Sequence, residues 1–281
     1  MKATHLIAIF IVFVLSIFLL PITAQIHEPF PIGYSMGNLG SINQSDGPGG
    51  RQGWSPAAYY RDTLRAGLSF ATATYFDKAT NMASTPYRTI LGGFFSGNKF
   101  TCKAALSFFD ASGYYQEQDI FLSTGYLQGR ISGSVEFRAL RYGVPSIGDF
   151  RILSSIGGTL QAMFNHVFFS LSIPPQIIYS SNRYRRNDFR IQSGLHSVPN
   201  RFGSQGIIFE VRPGYDKPLR LIIGEEYRFT PEIGISFAAA GNPTLLSIAV
   251  IYEPRPFSAT AGIVNHTYLG WSKGISLEYF N

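Results

Sequence analysis

The most constraining feature of the chain is an alternation of polar and apolar residues that recurs in segments of about ten residues. The clearest example lies within Gly129 to Tyr142, and its polar positions are Arg130, Ser132, Ser134, Glu136 and Arg138. The residues between them are Ile131, Gly133, Val135, Phe137 and Ala139. Because successive side chains of a β-strand point to opposite faces, this pattern predicts a strand with one polar and one apolar face.

Segments of this kind, separated by turn residues, predict an all-β fold of about fourteen antiparallel strands. The eighth strand is the least defined, because Pro174-Pro175 and the basic stretch to Arg190 interrupt the period, so twelve strands are the alternative. The predicted strands are 65–75, 86–96, 99–109, 115–126, 128–141, 150–163, 166–173, one within 176–196, 204–212, 219–229, 232–240, 244–252, 257–264 and 269–280.

The length of these segments favours a closed transmembrane β-barrel over a soluble sandwich. Most match the roughly 9–11 residues of a tilted membrane strand, whereas strands of soluble sheets are usually about five or six residues long. Aromatic residues make up 15% of the chain, and many fall at strand ends, where membrane interfaces are expected. An even strand count would place both ends of the barrel in the periplasm, together with tight turns at Gly97-Asn98, Leu127-Gln128, Asn165-His166 and Thr230-Pro231.

The N-terminus has the features of an export signal. Lys2 precedes the apolar run Leu6 to Leu20, and Pro21 and Thr23-Ala24 follow it, so residues 1–24 are predicted to be a cleaved signal peptide. A retained anchor is the alternative. Residues 25–63 form a Gly/Ser-rich segment with a short helix predicted to begin at Ser55, either a periplasmic tail or a plug, and the barrel is predicted to occupy 64–281. The predicted location is the cell outer membrane.

The last strand carries a further sorting feature. Ser272, Gly274, Leu277 and Tyr279 resemble the C-terminal β-signal of outer-membrane proteins, although Phe280 and Asn281 follow the aromatic position. The resemblance implies two partners, the barrel assembly machinery and the lipid bilayer. Lys273 is the one charge predicted on the apolar face of this strand, where it could extend to the membrane interface.

A fourteen-strand barrel preceded by an N-terminal segment resembles the long-chain fatty-acid transporter (FadL-like) family and the related PorV-like barrels of type IX secretion. The likeness rests on this architecture and on Ser55-Pro56-Ala57, which stands where the family has Asn-Pro-Ala. It implies either transport of hydrophobic solutes or a secretion-system partner.

Charged residues on the predicted polar face are the candidate functional residues. Their two signs allow either a salt-bridged interior or a pore whose selectivity they set, and Arg130, Arg138, Arg220 and Arg228 would give a weak anion preference. The candidate lumen-facing residues are Lys99, Lys103, Glu117, Asp119, Arg130, Glu136, Arg138, Arg212, Arg220, Glu226, Arg228 and Glu232.

Other chemistry has little support in the sequence. Cys102 is the single cysteine, the five histidines form no metal-binding pattern, and no catalytic or cofactor motif is present. The net charge of +6 comes from scattered residues, and with export it does not indicate nucleic-acid binding. We therefore expect a non-enzymatic barrel without cofactor. It would be either a passive or gated transporter of small or hydrophobic solutes, or a non-conducting barrel that binds a partner protein.

Overall fold

The computed structural model describes most of the chain from Arg65 onward. The described residues are 65–74, 86–97, 99–111, 113–164, 167–181, 191–197, 203–211, 219–241, 245–266 and 270–280. The predicted signal peptide, the Gly/Ser-rich segment and its helix lie outside them.

The described residues form fourteen β-strands, which confirms the predicted all-β, antiparallel fold and rules out the twelve-strand alternative. They are β1 Arg65–Thr74, β2 Tyr87–Ser96, β3 Phe100–Ala111, β4 Tyr115–Gln128, β5 Ile131–Val144, β6 Asp149–Phe164, β7 Val167–Ser180, β8 Ile191–Ser197, β9 Gly203–Val211, β10 Leu219–Arg228, β11 Ile233–Ala240, β12 Leu245–Tyr252, β13 Phe257–His266 and β14 Gly270–Phe280.

Every strand pairs antiparallel with the next one along the chain, and β1 also pairs with β14. The β1–β14 register runs from Gly67 opposite Phe280 to Thr74 opposite Lys273. The strand order is therefore a ring, and none of the fourteen strands is left as a free sheet edge.

The largest departure from the predicted strands is at β7, which continues through Pro174-Pro175 to Ser180 instead of ending at 173. The register with β6 shifts there, from Gly158 opposite Ile173 to Ile156 opposite Gln176. Proline has no N–H to give to a ladder, so it is tolerated where pairing is interrupted by a bulge. The ill-defined eighth strand is Ile191–Ser197.

Two turns also differ from prediction. β4 extends to Gln128, so the turn lies at Gly129-Arg130 rather than at Leu127-Gln128, with Gly129 at a φ of 64°. Glycine adopts this left-handed conformation without steric cost. Asn265 and His266, which lie in the link between the predicted strands 257–264 and 269–280, belong to β13.

The two faces of the sheet show the reverse of the burial found in a soluble domain. Thr159 is 6% exposed while its neighbour Leu160 is 61% exposed, and the same alternation runs through β3, β4, β5 and β10. We call the buried, mostly polar face the inner face and the exposed, mostly apolar face the outer face. An exposed apolar surface of this extent needs an apolar environment or partner.

Aromatic residues form a belt on the outer face at the end of the barrel where the termini of β1 and β14 lie. The ring centroids of Phe257 and Tyr279 are 5.3 Å apart in this belt. Its other members are Phe95, Phe100, Tyr126, Phe164, Tyr227 and Tyr252. The turns 97–99, 129–130, 229–232 and 253–256 lie at the same end, so we call it the turn end, and the opposite end the loop end.

Candidate functional site

Among the residues that the structure describes, two groups of buried or partly buried ion pairs lie on the inner face, and the first lies on β2 to β5. Arg88 forms an ion pair with Glu117 although β3 lies between their strands, and both side chains are 4% exposed. The register explains the pair, because Arg88 lies opposite Phe109, which lies opposite Glu117. The Arg88 guanidinium is 5.5 Å from the centroid of the Phe109 ring, and Tyr115 Oη donates a hydrogen bond of 2.9 Å to Glu117 Oε1.

A second ion pair, with a more solvent-exposed arginine, lies beside it. Arg138 Nε and Nη2 lie 2.7 and 2.6 Å from Asp119 Oδ2, and the Arg138 side chain is 30% exposed. Glu136 is on the same face of β5, half-buried, and Ser123 lies opposite it on β4. Such a charge-assisted pair lowers the cost of placing charges on a buried face.

The second group lies on β9, β10 and the turn before β13. Arg220 lies opposite Glu210, with 3.7 Å between Nη1 and Oε1, and both side chains are fully buried. Arg220 Nε also donates a 3.0 Å hydrogen bond to the carbonyl oxygen of Gly241. This pair therefore lies near the loop end, shielded from solvent.

Near the turn end, Arg228 lies between two carboxylates. Its Nε is 2.6 Å from Glu226 Oε1 and its Nη1 is 2.8 Å from Glu253 Oε2. Ser258 Oγ donates a 3.3 Å hydrogen bond to Glu253 Oε1. Arg228 thus joins β10 to the turn before β13.

Strands β11 to β14 and β1 carry many small side chains on the inner face. Examples are Ser69, Ser236, Ala238, Ser247, Ala249, Gly262, Ser272 and Ser276. Several buried hydroxyl oxygens have no hydrogen-bond partner among the described residues, and these include Ser69, Ser107, Ser123, Ser134 and Ser247. Buried hydroxyls without a protein partner are usually satisfied by water.

The residues predicted to face the lumen fall into three sets. Those on the inner face of strands are Lys103, Glu117, Asp119, Glu136, Arg138, Arg220, Glu226 and Arg228. Three lie outside the strands at the turn end and are exposed: Lys99, Arg130 and Glu232. Arg212 lies outside the described residues.

Sequence reasoning missed Arg88. The inner-face residues that follow it on β2 are Ile90, Gly92 and Phe94, so polar alternation gave no signal for this position. Its ion pair with Glu117 follows from the register, which places the two residues on either side of Phe109 of β3.

The four residues of the predicted β-signal lie in β14. Ser272 is buried on the inner face, whereas Leu277 and Tyr279 are exposed on the outer face opposite Phe70 and Leu68 of β1. Gly274 lies opposite Ala73. These residues thus contribute to the pairing of the last strand with the first.

Within the described part of the chain, no group of three His, Cys, Asp or Glu side chains could hold a metal ion. The same residues contain no helix long and apolar enough to cross a membrane.

No protein-family model matches the chain, and no curated protein matches its sequence. Solved structures that this chain is similar to include a triple mutant of Rhodopseudomonas blastica porin, with a TM-score of 0.44, 10% identity, and coverage of 78% of this chain and 99% of the porin. Another mutant of this porin has a TM-score of 0.43 and 8% identity over the same shares. Similarities at this level establish neither a common family nor a common function.

Proposed function

We propose that this chain is an outer-membrane barrel that passes small solutes through a polar, hydrated interior. The observation that carries the proposal is the reversed burial of the sheet, with apolar residues exposed around the outside and charged or hydroxyl residues on the inner face. The aromatic belt at the turn end fits a membrane interface, and Tyr87, Tyr179 and Trp271 are exposed toward the loop end. The bilayer is then the partner of the outer face.

The inner face supports a hydrated interior. Fourteen strands lie between the eight of barrels filled by side chains and the 16–18 of open porins, so the size of the inner side chains decides how much space remains. Small residues occupy much of β11 to β14 and β1. The buried hydroxyls of Ser123, Ser134 and Ser247 need water partners in such an interior.

The pairing of inner charges bears on selectivity. Arg138, Arg220 and Arg228, which the sequence suggested as the source of an anion preference, each lie within ion-pair distance of a carboxylate. A paired arginine contributes little net electric field to the lumen, so we expect the barrel to select only weakly between anions and cations.

The proposal is tested by gel mobility and conductance on the purified protein in detergent. A folded barrel should run at a different mobility before and after boiling, and in planar bilayers it should give stepwise conductance. Folding in plain buffer without a mobility shift would contradict the membrane placement. A mobility shift without conductance would contradict transport but not the membrane placement.

The Arg138–Asp119 pair is the place to test how charge sets selectivity, because the Arg138 side chain is more exposed than those of Arg88, Arg220 and Arg228. Arg138→Ala should shift ion selectivity toward cations, and Asp119→Asn should shift it toward anions, since each leaves the partner charge unbalanced. Arg130→Ala, in an exposed turn, is the matched control and should change selectivity less. Reversal potentials in a salt gradient give the comparison, and equal values for all three variants would contradict a path along this pair.

A sealed, partner-binding barrel is the second candidate, and the fully buried Glu210–Arg220 pair favours it, because a wide channel would leave such charges solvated. In that case the loops would bind another protein, as the resemblance to PorV-like secretion barrels implies. Zero conductance from a correctly folded barrel would favour it over transport. In both cases the β-signal in β14 would be recognised by the barrel assembly machinery.

A further inference from the structure

A groove with a volume of about 530 Å³ crosses the outer face of β12, β13, β14 and β1. The register shows that it lies between two rows of outward side chains. One row is Val250, Ala261, Ile275 and Thr72, and the other is Ile248, Ile263, Lys273 and Thr74. The backbone of Ala249, Gly262, Gly274 and Ala73 forms its floor.

Local sequence explains why the groove is here. Ala261 and Thr72 are short, so the first row does not fill the space between the strands. The strands also approach closely on the inner face: a Cβ placed on Gly262 would stand 2.7 Å from Ala249 Cβ, and one on Gly274 would stand 2.8 Å from Ala73 Cβ. Glycine permits this approach.

Lys273 is the one charged residue that lines the groove. Its side chain is exposed, and the ammonium has no hydrogen bond or ion pair with any residue that the structure describes. The outer-face charges Arg141 and Glu225 differ, because Arg141 donates to Gln118 Oε1 at 3.0 Å and Glu225 accepts from Gln205 at 2.5 Å. Where this face lies in a bilayer, the ammonium is partly removed from water, and an anionic group from outside the chain would offset that cost.

The position of the groove indicates where that group comes from. Trp271 lies on the same outer face of β14, two residues and therefore about 7 Å closer to the loop end than Lys273. Trp271 belongs at the level of a membrane interface, so Lys273 can extend its ammonium toward lipid headgroups while the groove continues into the apolar region.

We propose that the groove holds an acyl chain of an anionic phospholipid whose phosphate pairs with Lys273. The volume falls within the range of about 300–1,000 Å³ that small-molecule sites occupy, and the lining is apolar except for the lysine and two threonines. This inference rests on the proposed membrane placement of the barrel.

Fluorescence quenching of Trp271 tests the proposal. The chain has two tryptophans, so the Trp54→Phe variant leaves Trp271 as the reporter. The variant is inserted into phosphatidylcholine bilayers that contain either dibrominated phosphatidylglycerol or dibrominated phosphatidylcholine at matched mole fractions. We expect the anionic lipid to bind near Trp271 about fivefold more tightly, from the contribution of one lysine at a membrane surface.

Two variants and one control separate the parts of the site. Lys273→Gln should reduce the ratio of the affinity for phosphatidylglycerol to that for phosphatidylcholine to about one. Ala261→Phe should lower this ratio with the lysine in place, because the ring fills the groove. Lys99→Gln, at the turn end, should leave it unchanged. Boiled and unboiled gel mobility verifies that each variant is folded.

Quenching of Trp271 and gel mobility together distinguish a wrong lipid site from a wrong membrane placement. If neither brominated lipid quenches Trp271 and no mobility shift appears, the membrane placement is wrong. If both lipids quench it equally, or if the preference survives Lys273→Gln, the barrel is in the membrane but the lipid site is refuted. If neither lipid quenches a heat-modifiable barrel of doubled mass, a second copy occupies the groove instead.

Discussion

At the scale of single residues, the inner charges depend on partners that are distant in sequence. Arg88 and Glu117 are 29 positions apart and meet because each lies opposite Phe109 on the strand between them. Arg220 and Glu210 are direct neighbours across β9 and β10. Buried ion pairs of this kind add little net stability, but removal of one partner leaves an uncompensated charge.

The Glu210–Arg220 pair gives a stability prediction. Arg220→Met should lower the free energy of unfolding by about 3–5 kcal/mol, because the Glu210 carboxylate stays buried while it loses the charge of Arg220. The double variant Glu210→Leu with Arg220→Met should recover most of that loss. Urea unfolding in detergent, followed by gel mobility, gives both values.

The exposed pair Arg151–Asp149, with side chains 39% and 51% exposed, provides the control. Arg151→Met should change the free energy of unfolding by no more than about 1 kcal/mol. If Arg220→Met costs no more than Arg151→Met, burial does not set the strength of these pairs.

At the scale of elements, two kinds of residue affect how neighbouring strands pair. Prolines cannot donate a backbone hydrogen bond to the ladder, and glycines have no side chain to keep strands apart. β7 passes through two prolines because the β6–β7 ladder is interrupted there. On the opposite side of the ring, Gly262 and Gly274 lie opposite each other and allow β12, β13, β14 and β1 to approach closely on the inner face.

Gly262→Ala should test this close approach. The new Cβ would stand 2.7 Å from Ala249 Cβ and 2.8 Å from the Ile248 carbonyl oxygen, so the strands must shift. We expect a loss of about 1–3 kcal/mol in the free energy of unfolding, measured by urea titration.

Gly133→Ala is the matched control, because its Cβ would find only Leu160 Cδ2 at 3.4 Å and Thr159 O at 3.9 Å. It should have a much smaller effect on the urea midpoint. Equal losses for the two variants would show that replacing any strand glycine lowers the free energy of unfolding by this amount, and that local crowding at Gly262 is not the cause.

At the scale of the whole molecule, the apolar outer face makes a membrane the expected environment. Cys102 is exposed on the outer face of β3, between Phe100 and Ala104. It therefore reports on whether this face is in contact with water or with lipid.

In bilayers, a water-soluble maleimide should react with Cys102 at least about tenfold more slowly than with a loop cysteine, because lipid keeps the reagent away from the thiol. The control is Ser146→Cys in a Cys102→Ala background, since Ser146 lies in the exposed turn between β5 and β6. Denaturation should make both react alike. Equal rates in the folded protein would contradict a lipid-facing surface at β3.

The sequence by itself determined the secondary structure and the assignment of residues to faces. A period of two is a local property, so Asp119, Glu136 and Ile120 could be placed on their faces from their neighbours alone, and turn residues located most strand ends. Where the local signal failed, as at Pro174-Pro175 and Leu127-Gln128, the ladder to a neighbouring strand decided the outcome.

Only the tertiary structure decided which inner charges meet and where the outer face is indented. Ion pairs such as Arg88–Glu117 depend on the register of three strands at once, and the groove beside Lys273 depends on the close approach of four. Neither is encoded in local alternation, because hydrogen-bonded register and sheet curvature arise between segments that are distant along the chain.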